Sequence, residues 1–359
     1  MNKTISANRI LKNSIFFITL IAITFLILFK DNSIESILKS LKNVNVIYVF
    51  LGILCMFLFI CCEGINIRRM LRLFSYDISI FRGLKYSFVG FFFSSITPSA
   101  SGGQPMQVYY MNKDGINISH SSLVLLIELA SFQFTTITIA IISFIVNYDF
   151  IVSLNTAIKI LIFIGIAINC IIFCFILVAI FSKSFINRIV DLAFKVISKI
   201  KFIDEKRIIE GVREEIKQYQ EGALFINNNK EVVTKVVLTT FVQASFMYSI
   251  TFFVYKAFNL STFSFFTVFS LQSILFISVS AIPLPGSVGS SESVFLTLFK
   301  TLFPVNTLNS AMLLSRGISF YLFVIVSGII VLFIRISRNK YYGNYIFKGL
   351  YNKDIIREK

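Results

Sequence analysis

Apolar positions in this chain come in long blocks rather than in the short periods of a soluble helix or strand, and the blocks are separated by short polar segments. A bilayer crossing takes about 17 to 25 predominantly apolar residues. Six blocks meet or approach that length: Ser14 to Phe29, Val44 to Cys62, Leu123 to Val146, Ile160 to Phe181, Val236 to Tyr255 and Gly317 to Ile334. The first follows Lys3, Arg9 and Lys12, and no small-residue cleavage site comes after it. It is therefore read as a retained helix rather than a signal peptide.

Two further uncharged stretches are interrupted by proline and glycine. Tyr86 to Met111 is broken by Thr97-Pro98-Ser99-Ala100-Ser101-Gly102-Gly103-Gln104-Pro105, which leaves arms too short to cross alone. Ala257 to Ser291 is broken by Ile282-Pro283-Leu284-Pro285-Gly286-Ser287-Val288-Gly289, with a short apolar continuation from Ser293 to Phe303. Both are expected to be re-entrant hairpins. With hairpins at both places, residues 1–13, 63–85, 113, 183–235 and 335–359 fall on one side and carry 27 of the 34 Lys and Arg residues. The other side carries six, with Arg316 at a boundary. The basic side is the cytoplasmic one by the positive-inside rule.

The same order of helix, helix, hairpin, helix then runs twice with opposite starting sides. The expected fold class is an all-α polytopic membrane protein with six crossing helices and two Pro/Gly-broken re-entrant hairpins in an inverted repeat. Its expected parts are a transmembrane domain over 1–335 and a basic cytoplasmic tail over 336–359. Within the domain, repeat one covers about 10–147, repeat two about 158–335, and a cytoplasmic amphipathic insert lies at 183–235. Inverted repeats are a common plan of secondary transporters, whose sites form where interrupted helices meet. In the insert, Ile186, Ile189, Val190, Ala193, Phe194, Ile197 and Ile200 share one helical face. Around Ile209, Val212, Ile216 and Tyr219 a second such stretch carries Glu210, Arg213, Glu214 and Lys217.

Composition agrees with this picture. Of 359 residues, 56% are hydrophobic and 14% charged, against about 25% charged in soluble domains. That excludes a disordered chain. The net charge of +16 sits mostly in loops beside apolar blocks, which favours anionic lipid headgroups as partners and no nucleic acid. Cys55, Cys61, Cys62, Cys170 and Cys174 all lie in apolar blocks and His120 is the single histidine, so neither a metal cluster nor a Ser-His-Asp site is expected. No Gly-Lys-Ser/Thr phosphate loop occurs, and no cofactor, metal or catalytic residue is assigned.

Charges inside apolar blocks are costly and point to function. Glu128 is the clearest; Glu292 and Arg316 are the others. Glu128 follows Gly103 by 25 residues and Arg316 follows Gly289 by 27, so the two are expected to face one another across a pseudo-twofold axis. Non-helical backbone at membrane depth must line a polar cavity or be buried in protein. The helix starts after the two breaks point N–H groups at whatever fills that cavity, and such ends bind anions. The expected headgroup-binding residues are Pro98, Ser101, Gly102, Gly103, Gln104, Pro105, Pro283, Pro285, Gly286, Gly289 and Glu292, with Glu128 and Arg316 as membrane-embedded charges.

The run from Thr97 to Pro105, then Tyr109-Tyr110-Met111, Glu128, and Ile282 to Glu292 resembles the lysylphosphatidylglycerol synthase transmembrane, or flippase-like, family over about residues 10 to 335. That family is the membrane half of the bacterial multiple peptide resistance factor. The resemblance implies transfer of a lipid between leaflets: lysyl- or other aminoacyl-phosphatidylglycerol, which lowers surface negative charge and gives resistance to cationic antimicrobial peptides. It also implies lipid metabolism in the bacterial inner (cell) membrane, where the Lys and Arg distribution puts both termini on the cytoplasmic side. The chain departs from the family's usual Glu-Arg at Glu128-Leu129 and from its usual Arg-Glu at Ser291-Glu292. It continues only about 25 residues past its last predicted helix, so a stand-alone form without the synthase domain is expected. The alternatives are phosphatidylglycerol lysyltransferase activity, a partner subunit of a separate aminoacyl-lipid synthase, or handling of a polyprenyl-linked glycolipid with a glycosyltransferase; a homo-oligomer is compatible with each.

Overall fold

The computed structural model describes residues 39–185, 187–188, 205–280 and 282–337. The regular elements among them are helices: α1 (Val46–Leu73), α2 (Ile80–Ser95), α3 (Gly103–Lys113), α4 (Ile118–Val146), α5 (Tyr148–Ser153) and α6 (Thr156–Phe181). They continue with α7 (Glu205–Asn228), α8 (Lys230–Ala257), α9 (Phe265–Ser280), α10 (Ser290–Leu298) and α11 (Val305–Ser337). Short 3-10 turns at Pro98–Ala100 and Pro285–Ser287 separate α2 from α3 and α9 from α10, and α11 contains a π-helical turn at Gly317–Tyr321. The chain is an all-α polytopic membrane protein. Five helices, α1, α4, α6, α8 and α11, are long and apolar enough to cross a bilayer.

These five match five of the predicted crossings. The sixth, Ser14 to Phe29, lies outside the described residues, as do nearly all of the amphipathic stretch from Ile186 to Ile200 and the tail beyond residue 337. Two boundaries differ from expectation. α1 runs on past Cys62 to Leu73, and α11 starts at Val305, twelve residues ahead of Gly317. The cause is the same in both places: a charge ends an apolar block in the sequence, but Glu63 and Arg316 find partners inside the protein, so the helix continues through them.

The bundle is apolar outside, as lipid requires, and within it buries several polar side chains among apolar clusters. Ile141 and Ile145 of α4, Phe163, Ile171 and Phe175 of α6, and Leu332 and Phe333 of α11 are exposed. Asn66, Gln107, Asn169, Thr240 and Gln243 are buried. Since hydrocarbon outside the bundle is as apolar as leucine, close packing and interhelical hydrogen bonds hold such helices together. α1 lies along α8, clamped by Asn66, which donates to Thr240 Oγ1 at 3.1 Å, and by Arg69, which donates to Thr239 Oγ1 and the Lys235 carbonyl at 2.9 Å each. α7 docks beneath α4: Glu215 accepts from the Ser119 N–H at 2.9 Å, placing a carboxylate at a helix start, where the dipole favours it. Tyr219, from the second amphipathic stretch, donates to the Ala179 carbonyl at 3.0 Å, and burial pushes its phenol up to about 12.

α6 meets α9 at Gly165. A Cβ there would stand 2.2 Å from the Ile277 carbonyl oxygen, and one turn on Asn169 donates to Ser280 Oγ at 2.7 Å. Gly165→Val therefore forces the helices apart and should cost about 1 to 3 kcal/mol, the usual penalty of overpacking. Thermal unfolding in detergent checks this; an unchanged midpoint would show that the contact at Gly165 is not close in the native protein.

Candidate functional site

The two broken stretches fold as helix, turn, helix units, α2 with α3 and α9 with α10, and each pair packs together. Their turns at Pro98–Ala100 and Pro285–Ser287 lie against one another. Ile96 before the first turn, Val288 after the second and Phe320 of α11 form a buried apolar cluster between them.

Local chemistry explains each break. In the first, Thr97 is the hub: its hydroxyl donates to the Phe93 carbonyl at 2.6 Å and accepts from the Gly102 N–H at 2.9 Å, while Ser94 donates to the Ala100 carbonyl at 3.3 Å. Ser99 and Ala100 hold left-handed backbone at φ 51° and 53°, a conformation costly for residues with a Cβ. In the second, Gly286 takes φ 57°, and a Cβ there would lie 2.0 Å from the Phe320 ring. Its carbonyl accepts from Arg316 Nη2 at 2.8 Å.

Glu292 organises the start of α10, just past the second break. One of its oxygens accepts from the Gly289 N–H at 2.7 Å and from Ser291 at 3.0 Å; the other accepts from Arg316 Nε at 2.9 Å and Tyr321 at 3.2 Å. The Glu292 side chain is 3% exposed and that of Arg316 is 16%, so this ion pair is largely removed from water. The Arg316 guanidinium also lies 4.6 Å from the Phe320 ring centroid, within cation–π range.

Between the two units, α1, α4, α8 and α11 enclose a cavity of about 380 Å³. Its wall carries charges of both signs. Arg316 lines it beside Gly286 and Ser287 of the second break and Ser99 and Ala100 of the first; Glu63, Glu128, Gln107 and Gln243 also line it. Gln107 Nε2 donates to Glu63 Oε1 at 2.7 Å and to the Tyr86 carbonyl at 3.2 Å. Glu128 Oε1 and Gln243 Oε1 are buried without a hydrogen-bond partner among the described residues.

Of the residues predicted for headgroup binding, Gln104 and Gly286 line the cavity, as do the predicted charges Glu128 and Arg316. Pro98, Ser101, Gly102, Gly103, Pro105, Pro283, Pro285, Gly289 and Glu292 are not among its lining residues. Thr97 and Glu292 organise the backbone around several of them. The expected pairing of Glu128 with Arg316 is not what the side chains do: both reach the same cavity, but Arg316 bonds Glu292. Glu63 escapes the sequence pattern, because it sits one residue past the apolar block ending at Cys62. The helical continuation Gly64-Ile65-Asn66-Ile67 is the available signal.

Residues 14–327 match the lysylphosphatidylglycerol synthase TM region family. The chain belongs to that family. Membership ties the protein to membrane lipid, and the broken units, whose sequences carried the resemblance, contribute part of the cavity wall. A relative in this family is a UPF0104 membrane protein of Archaeoglobus fulgidus (strain ATCC 49558 / DSM 4304 / JCM 9628 / NBRC 100126 / VC-16), 26% identical over 306 residues that cover 84% of this chain and 90% of the relative.

The Arg316–Glu292 pair gives a direct stability test. Removing one partner of a buried pair leaves the other uncompensated, at about 3 to 5 kcal/mol. Arg316→Met alone should therefore cost about 3 kcal/mol, and Arg316→Met with Glu292→Gln much less than the sum of the two single changes. Additive effects in this double-mutant cycle would mean that the pair is not formed.

Proposed function

We propose that the protein moves a phospholipid, an anionic or aminoacylated phosphatidylglycerol such as lysyl-phosphatidylglycerol, between the leaflets of the bacterial inner membrane. The observation that carries this reading is a largely apolar cavity among apolar-faced helices, with the charged residues Arg316, Glu63 and Glu128 and both broken turns set into its wall. A phosphate is suited to the Arg316 guanidinium. A headgroup ammonium is suited to the carboxylates. The family supports a lipid as the molecule handled.

In this reading the chain is an inverted repeat, its broken units are re-entrant, and alternating exposure of the cavity carries the headgroup while the acyl chains stay in lipid. The excess of Lys and Arg in the segments of one side supports cytoplasmic termini.

Proteoliposomes containing lysyl-phosphatidylglycerol and an impermeant amine-reactive dye test the proposal. Wild-type protein should raise the labelled fraction above the half accessible in empty vesicles, and Glu128→Ala should return it to that level. Labelling by wild type equal to that of empty vesicles would refute translocation of this lipid.

A further inference from the structure

Glu63 on α1 and Glu128 on α4 line the same cavity and lie within electrostatic reach of one another. Glu63 has a donor, the Gln107 amide, on its Oε1. Glu128 Oε1 has none among the described residues. Gln243, 2% exposed on α8, turns a second unpartnered acceptor oxygen into the same cavity wall. The wall therefore carries two carboxylates and an amide oxygen, and the Gln107 amide is the donor that the described side chains supply to it.

Among the described residues, no cation of the protein answers this group. Arg68 donates to the Ile78 carbonyl and Arg69 to Asn66 and Thr239. Lys85 is paired with Asp114, Lys235 with Glu231 and Arg316 with Glu292. Of the other ionisable groups on the packed elements, Glu215 accepts from the Ser119 N–H, His120 bonds Tyr76, and Lys159 donates to the Val152 carbonyl. α1 and α8 also carry Arg72, which is paired with Asp77, Lys256, which lies over the Phe252 ring, and Lys230, Tyr48, Tyr248, Tyr255 and the thiols of Cys55, Cys61 and Cys62. Two carboxylates at close quarters in a poorly solvated site cannot both stay ionised without a counter-ion.

We infer that Glu63 and Glu128 form a one-proton site, held on Glu128 when the cavity is empty, and that a cationic headgroup displaces this proton as it enters. The second half rests on the lipid reading above. Its consequence is coupling: the proton leaves Glu128 for the aqueous phase on the side where the lipid enters, and Glu128 takes up another from the side where the lipid leaves. Lipid moves one way and one proton the other, so transfer toward an acidic compartment is favoured.

Two measurements decide it. Infrared spectroscopy of the protein reconstituted in phosphatidylcholine vesicles should show a protonated carboxylic C=O band at neutral pH that Glu128→Gln removes. In Glu63→Gln, which lacks the neighbouring negative charge, the band should vanish at a lower pH than in wild type. A missing wild-type band, or one that Glu63→Gln does not move, overturns the site. Calorimetric titration with short-chain lysyl-phosphatidylglycerol in buffers of different ionisation enthalpy should then show about one proton released per lipid bound, and none for Glu128→Gln. Binding without proton release overturns the displacement and leaves the lipid reading standing. An intact band with no lipid binding overturns the displacement through failure of the aminoacyl headgroup itself.

Discussion

Lipid offers no hydrogen-bond partners, so a chain that interrupts a helix among apolar helices must satisfy the released N–H and C=O groups from within the protein. That constraint shapes both broken units. Thr97 closes the first break by serving the Phe93 carbonyl and the Gly102 N–H at once. Glu292 and Arg316 close the second, the carboxylate taking the Gly289 N–H and the guanidinium the Gly286 carbonyl. The ion pair between them keeps each charge compensated while it does so. Buried pairs of this kind contribute little net stability, since desolvation offsets attraction, but they fix geometry. Here the geometry fixed is the contact of the second turn with the first and with Phe320.

The cavity is lined in part by the turns that make that contact. Residues of the helices around them also line it. Arg316 belongs to both systems, part of the scaffold through Glu292 and part of the wall through its exposed edge. Glu63 and Glu128 are different. Their described surroundings supply one amide donor, so their charge is available to whatever enters the cavity.

How much of this the sequence disclosed depends on physical range. Crossing helices announce themselves through runs of apolar residues, and α4, α6 and α8 lie close to where those runs placed them. The two breaks were legible because proline and glycine act locally, and so was Glu128, alone among apolar neighbours. What depends on partners distant in sequence was not. Arg316 looked like a boundary charge because its partner stands 24 residues away, and Glu63 looked like a loop residue because Gln107 stands 44 away. Of the residues in the breaks read as headgroup-binding, Gln104 and Gly286 line the cavity, which their local pattern could not single out.

The central claim is that the two interrupted segments meet and build one cavity. Cysteine pairing tests it most directly: in a cysteine-free background, Ser99→Cys with Ser287→Cys joins the two turns, which lie against each other. The account predicts an efficient intramolecular cross-link in native membranes, lost when either cysteine is moved to the exposed position Phe163 on α6. Failure of the turn pair to link, while a control pair across α1 and α8 links readily, would contradict it.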